Sequence, residues 1–192
     1  KVCTEQEIVK MPFSTTDTWV FDLDDTLYPA SSNFFPQIAE RMGLYVADTF
    51  NIPLVEAKKE QRRLFLEYGT TLSGLVVERG INVDEYAQFL MQVDYGRIPH
   101  SPDLVDAVRK LPGRVLIFTN GFKEHAEACL DQLGFEHTDF EAIADIRTIA
   151  FKPKPRPIAF ETFFAQHGVD PKTSIFFEDS PKNLRTAKEL GM

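Results

Sequence analysis

Three apolar runs in this chain end in small polar or acidic residues, and one lysine stands in a loop between two of them. Trp19-Val20-Phe21 leads into Asp22, Asp24 and Asp25; Leu116-Ile117-Phe118 leads into Thr119 and Asn120; Ile175-Phe176-Phe177 leads into Glu178 and Asp179. Lys154 lies in the stretch Phe151-Lys152-Pro153-Lys154-Pro155-Arg156-Pro157. Apolar runs without alternation read as parallel strands covered on both faces, and in open α/β sheets ligands sit beyond the carboxyl ends of such strands. Turn chemistry explains one such strand end, because Asp and Asn readily begin turns. It explains three together poorly. Carboxylates gathered at one edge repel and raise one another's pKa unless a cation is present. A hard divalent ion with oxygen ligands answers that need, and Mg²⁺ commonly takes one or two carboxylates plus water and substrate phosphate. The chain has no cysteine and histidine cluster of the kind zinc requires.

The elements that must position these groups follow from pattern. After the first acidic turn, Tyr28 to Asn33 is rich in turn formers. Phe35, Ile38, Met42, Tyr45, Val46 and Phe50 then recur at helical spacing. A second helix begins at Pro53, with Ala57, Leu64 and Phe65 expected inward and Lys58, Lys59, Arg62 and Arg63 expected on a solvated face. Tyr68-Gly69-Thr70-Thr71-Leu72 breaks the pattern, and short helices follow near 72–78 and 84–92. Residues 31–97 thus read as a helical bundle inserted after the first strand, where it would sit over the cleft as a cap and exclude water. Alternation of helix and strand returns from Pro102 onward, with helices over 102–111, 122–133 and 157–167, a weak strand near 142–146 and a last helix after Ser180. The expected fold is therefore α/β, a three-layer doubly wound parallel sheet built from residues 18–30 and 98–192 and carrying the helical cap. Residues 1–17 are unperiodic and read as an N-terminal arm.

Composition narrows the partners. With 21 basic against 29 acidic side chains, net charge −8, the chain lacks the basic surface that a nucleic acid polymer or an anionic membrane requires. A small anionic substrate stays open if the site supplies its own cations. Cys3 and Cys129 make no disulfide framework, which suits a cytoplasmic protein, and Cys129 reads as a helix core position. None of His100, His125, His137 and His167 has a partner at catalytic spacing in sequence, so all four are expected at surface or helix positions.

The ordered motifs resemble the haloacid dehalogenase superfamily of phosphohydrolases over nearly everything after residue 18. Asp22-Leu23-Asp24-Asp25-Thr26-Leu27 is similar to its first motif, Thr119-Asn120-Gly121 to its second, Lys154-Pro155-Arg156-Pro157 to its third and Glu178-Asp179 to its fourth. The resemblance implies Asp22 as nucleophile and Asp24 as general acid and base, with Asp25 a turn former. It implies Mg²⁺ held by Asp22, the Asp24 carbonyl and Asp179, and phosphate bound by Thr119, Asn120 and Lys154. Glu178 would orient metal-bound water, and Asn183 would support the site without ligating. A carboxylate approaching a phosphate meets repulsion of about 1 kcal/mol per charge pair at 4 Å in water and about 4 at an effective dielectric of 20, so those cations are needed first. Dehalogenases of the superfamily lack an acid at the position of Asp24, which favours phosphate chemistry here; a dehalogenase and a noncatalytic, metal-retaining binding module remain the alternatives. Within the superfamily the chain is similar to the pyrimidine 5'-nucleotidase branch, which implies nucleoside monophosphates as substrates and Tyr68, Gly69, Thr70 and Thr71 over the base or sugar. Sugar phosphates or phosphoglycolate are the alternative substrates. A small phosphorylated metabolite is the expected partner, for a monomer or homodimer. Related chains continue past the position of Met192 into another strand, so the sheet edge is expected to be incomplete in this sequence.

Overall fold

The computed structural model describes Phe13 and residues 15–192. Most of the expected arm, and Cys3 with it, lies outside the described residues. Four parallel strands form one sheet in the order β3-β2-β1-β4: β1 Thr18–Phe21, β2 Arg114–Phe118, β3 Ala142–Ala144 and β4 Ser174–Phe177. Among the described residues seven α-helices lie between the strands and an eighth follows β4: α1 Phe35–Phe50, α2 Leu54–Tyr68, α3 Thr71–Arg79, α4 Val83–Leu90, α5 Pro102–Arg109, α6 Lys123–Leu133, α7 Pro157–His167 and α8 Pro181–Glu189. This is the α/β architecture that the strand and helix alternation predicts. No helix among the described residues is long and apolar enough to cross a membrane.

The strand order decides where a site can form. From β1 the chain steps to β2 and β3 on one side, then returns across the sheet to place β4 on the other side of β1. The order therefore reverses between β1 and β4, and in doubly wound sheets the crevice at such a switch point is where ligands bind. Phe21 pairs with Ile117 on one side and Phe177 on the other, so Asp22, Thr119 and Glu178 emerge at neighbouring strand ends. All four residues of β1 are buried, as a central strand requires. β4 is an outer strand, as β3 is at the other side, with Phe177 39% exposed and its ring stacked on Phe21 at 4.6 Å.

Beneath the strand ends the core is aromatic. Phe118 stacks on Phe163 at 4.4 Å and meets Phe160 edge-on at 5.3 Å. Val20, Leu23, Leu116 and Ile117 are fully buried, each contributing roughly 1.5–3 kcal/mol relative to exposure. The four helices α1 to α4 pack on one another between β1 and α5, α1 against α2 and α4, and α2 against α3.

One glycine fixes how β1 and β2 begin their pairing. Gly113 has φ +90°, and a Cβ there would strike the Asp17 carbonyl, which accepts a hydrogen bond from the Arg114 amide at 2.8 Å. Left-handed backbone costs an L-residue about 1–2 kcal/mol before any clash. Gly113→Ala is expected to lose about 2 kcal/mol or more, which lowers Tm by about 4–8 °C in a chain of this size. A calorimetric scan showing an unchanged Tm would remove this account of the β1 and β2 start.

Candidate active site

Lys154 organises the strand ends. Its side chain is 2% exposed, and its Nζ donates to Asp22 Oδ1 at 2.8 Å, Glu178 Oε2 at 2.8 Å and the Phe118 carbonyl at 2.6 Å. An ammonium has three N–H groups, and all three are satisfied. The nitrogen also lies 5.0 Å from the ring centroids of Phe118 and Phe176. Burial alone would lower its pKa, but Asp22 and Glu178 outweigh burial and raise it. Lys152, two residues earlier, is exposed.

The three carboxylates respond differently. For Asp22 burial outweighs the Lys154 ammonium, and with Glu178 and Asp24 nearby its carboxyl is pushed up to about 7. For Glu178 burial is overcome by Lys154, by the Asn183 amide at 2.9 Å and by the Ser180 N–H at 3.1 Å, which hold it below the usual range. Asp179 is pushed up to about 6 by partial burial and by Glu178. One oxygen from each of Asp22, Glu178 and Asp179 lies within 4.8 Å of the others, an all-oxygen set that could hold a hard cation. Thr26 ties the two loops that carry these acids: its Oγ1 donates to Asp22 Oδ2 at 3.3 Å and accepts the Asp179 N–H at 3.1 Å.

Asp24 turns the other way. Its Oδ1 accepts hydrogen bonds from His125 Nε2 at 2.9 Å and from the Tyr28 hydroxyl. Burial would raise its carboxyl, but the charge and hydrogen bond of His125 and the bond from Tyr28 outweigh it, and the net shift is downward. Asp25, next in the chain, has φ +58°, a turn conformation that Asp tolerates.

Asp22, Asp24, Thr119, Asn120, Lys154, Glu178, Asp179 and Asn183 line one cavity of about 710 Å³ with Thr70 and Thr71. Tyr68 and Gly69 do not line it. Gly69 closes α2 with φ +88° against Pro153, and the Tyr68 carbonyl accepts from Arg156 at 3.0 Å, so these two join the insert to the Lys154 loop. The side chain of Asn120 also does something other than the phosphate contact expected of it. It accepts the Lys154 N–H at 2.9 Å and donates to the Lys154 carbonyl at 3.0 Å, clamping that residue's backbone. Thr119 Oγ1 accepts the Gly121 N–H at 2.9 Å, which leaves the hydroxyl hydrogen for a ligand.

Two expectations about α2 change. Lys58 and Arg62 border the cavity instead of belonging only to a solvated face, and Phe65 borders it too while 53% exposed. One histidine combines the helix position expected of it with a partner that sequence spacing does not offer. His125 is 7% exposed and bonded to Asp24, 101 residues away in sequence. The available signal was the α6 stripe, since His125, Ala126, Cys129, Leu130 and Leu133 share its buried face. Cys129 is fully buried, and burial raises its thiol pKa, as a core position implies.

Comparison with known proteins follows the same geometry. The family of haloacid dehalogenase-like hydrolases matches residues 16–191. The chain belongs to that family. It is 26% identical over 200 residues to phosphate metabolism protein 8 of Saccharomyces cerevisiae, covering 94% of this chain and 61% of that protein's length. Among solved structures it is similar to the HAD-hydrolase YfnB of Bacillus subtilis, crystallised with magnesium, at TM-score 0.58 and 20% identity over 92% of this chain and 86% of that one. It is also similar to the L-2-haloacid dehalogenase of Xanthobacter autotrophicus, at TM-score 0.55 and 18% identity over 92% and 75%. At these identities the structural likenesses speak to the fold.

The acids give the metal-free protein a stability profile of definite sign. Folded Asp22 and Asp179 hold protons up to about 7 and about 6, whereas ordinary unfolded carboxylates release theirs near pH 4. Between those limits the folded state binds more protons, so unfolding free energy falls as pH rises from about 4 to 7. Glu178 and His167, both held below their ordinary ranges, act in the opposite sense. Tm measured without divalent ions from pH 5 to 7 should therefore decline more steeply in the native chain than in Asp22→Asn. Parallel profiles would show that Asp22 does not titrate there.

Proposed function

We propose that this family member is a Mg²⁺-dependent phosphomonoester hydrolase working through an aspartyl-phosphate on Asp22. The observation that carries the reading is the buried cluster of Lys154, Asp22 and Glu178 at the β1 and β4 switch point, with Asp24 beside it in a different environment. A bound Mg²⁺ would be held by Asp22, Asp179 and the Asp24 carbonyl, with Glu178 beside it, and would supply charge neutralisation at the phosphate.

The chain's own groups account for the rest. Lys154 exchanges its bond to Asp22 for one to a nonbridging phosphate oxygen as Asp22 is drawn to phosphorus, and the free hydrogen of Thr119 donates to another. Asp22 attacks phosphorus, forming the carboxyl O–P bond as the ester O–P bond breaks. Asp24 passes its proton to the departing alcohol oxygen, and then, as carboxylate, takes a proton from the water that hydrolyses the acyl phosphate. Its lowered pKa suits the second role; an incoming phosphate dianion raises that carboxyl again and favours the protonated form that the first role needs.

The helices α1 to α4 serve in this reading as a cap, because Phe35, Ile38, Met42, Phe65 and Leu72 face the strand-end residues across the cavity. A cavity of that size suits a small metabolite. Its aromatic wall, with Thr70 and Thr71 at hand, supports pyrimidine nucleoside 5'-monophosphates such as UMP and CMP as the substrates. Sugar phosphates and phosphoglycolate offer no flat apolar leaving group for that wall.

Purified protein with Mg²⁺ is expected to release phosphate from a panel of monophosphates, fastest from UMP and CMP, and Asp22→Asn to slow release by about 10³-fold or more. Undiminished release by Asp22→Asn would defeat the covalent step. Release from sugar phosphates or phosphoglycolate without release from UMP or CMP would defeat the nucleotide assignment and leave the phosphatase reading standing.

A further inference from the structure

We propose that His125 is a positioning residue for Asp24: together with Tyr28 it fixes one carboxylate oxygen, Oδ1, so that the other, Oδ2, faces the leaving-group oxygen. The inference rests on the phosphomonoesterase reading above and names a device that the four family motifs do not contain.

The geometry is a chain of hydrogen bonds set in an aromatic pocket. A carboxylate can only accept, so His125 Nε2 carries the hydrogen in its 2.9 Å bond to Asp24 Oδ1. At the other side of the ring the Tyr95 hydroxyl stands 3.1 Å from Nδ1, where it can donate or accept according to the hydrogen on that nitrogen. Phe34 lies parallel to the imidazole, ring centroids 5.9 Å apart, and Tyr28 meets Phe34 edge-on at 5.4 Å. Cys129 Sγ closes the remaining side at 3.7 Å from Nε2. Gly121 leaves room for the ring, because a Cβ there would come within 3.3 Å of His125 Cδ2. The imidazole is thus held at both nitrogens and on its faces.

Both donors converge on the same oxygen of Asp24. Among the described residues no hydrogen bond is made to Oδ2, which lies on the Gly121 side, while Asp24 itself lines the cavity with Asp22 and Lys154. Two donors on one oxygen fix the rotation of the carboxyl group, and proton transfer to a departing oxygen depends on that orientation. Tyr28 does not line the cavity, so its effect reaches the reaction only through Asp24; His125 borders the cavity, and Tyr28→Phe is therefore the variant that isolates positioning from direct contact.

A positioning role for the acid has a signature that simple loss of packing does not share. A poor leaving group needs its proton during P–O cleavage, whereas a stabilised phenolate needs it much less. The test compares kcat/KM, which covers steps through loss of the alcohol, on phenyl phosphate and on p-nitrophenyl phosphate, two esters of similar shape. For His125→Phe and for the milder Tyr28→Phe, kcat/KM on phenyl phosphate should fall about 10- to 100-fold and on p-nitrophenyl phosphate by several-fold less. His125→Gln, which keeps an N–H donor, should recover part of the difference. Equal falls on both esters, or no fall on either in Tyr28→Phe and His125→Gln alike, would overturn the proposal. If the native protein releases phosphate from neither ester, the phosphomonoesterase reading fails and this inference with it; activity on both esters with an unchanged ratio in the variants defeats this inference alone.

Discussion

The carboxyl edge of the sheet depends on one buried ammonium. Asp22 and Glu178 leave β1 and β4 at neighbouring positions, and without Lys154 between them their carboxylates would be desolvated and mutually repulsive. Placing a lysine there is itself costly, because a charged group in an apolar core must find partners for every N–H. The structure meets that requirement with two acids and the Phe118 carbonyl, and the rings of Phe118 and Phe176 lie 5.0 Å away. The backbone of Lys154 is then anchored by the reciprocal pair with Asn120. A network satisfied at every member keeps a single geometry, and a half-satisfied one does not. The Lys154 cluster therefore holds one geometry by its own contacts.

This dependence explains what could be seen in the sequence. Strand ends are legible because an apolar run that stops at an acid has one physical meaning in a parallel sheet, and the three ends converge as that meaning requires. The helical insert is legible from its 3.6-residue period. Periodicity divides positions into inward and outward, and a cavity wall is neither. Phe65, Lys58 and Arg62 fall in that third class, so a 3.6-residue period gives α2 only a buried face and a solvated one. Asn120 shows a related limit. Its type and place are those of a ligand-binding amide, yet its side chain spends both ends on the neighbouring loop. Tyr68 and Gly69 lie where a loop over the substrate would be expected, but the contact with Pro153 and Arg156 turns them to the join between insert and core. His125 is hidden for a different reason, since its partner is set by the fold and not by spacing.

Asp22 and Asp24 are two residues apart, and the sequence offers no reason to separate their chemistry beyond family resemblance. The structure supplies one. Asp22 is buried at the strand end, and burial outweighs its lysine, so its carboxyl sits high. Asp24 lies past the turn of Leu23, where His125 and Tyr28 hold its carboxyl low. Environments that push a pair of acids apart are what assign roles to them in acid–base sites. The direction at Asp22 adds a condition. The nucleophilic role proposed for Asp22 requires an ionised carboxyl, one near 7 is ionised only in part at neutral pH, and added positive charge among Asp22, Glu178 and Asp179 would favour that form. Thr26 makes this condition structural as well as electrostatic, because it bonds to Asp22 and to the Asp179 backbone at once. One hydroxyl thereby joins the acid after β1 to the loop after β4, across the sheet's switch point.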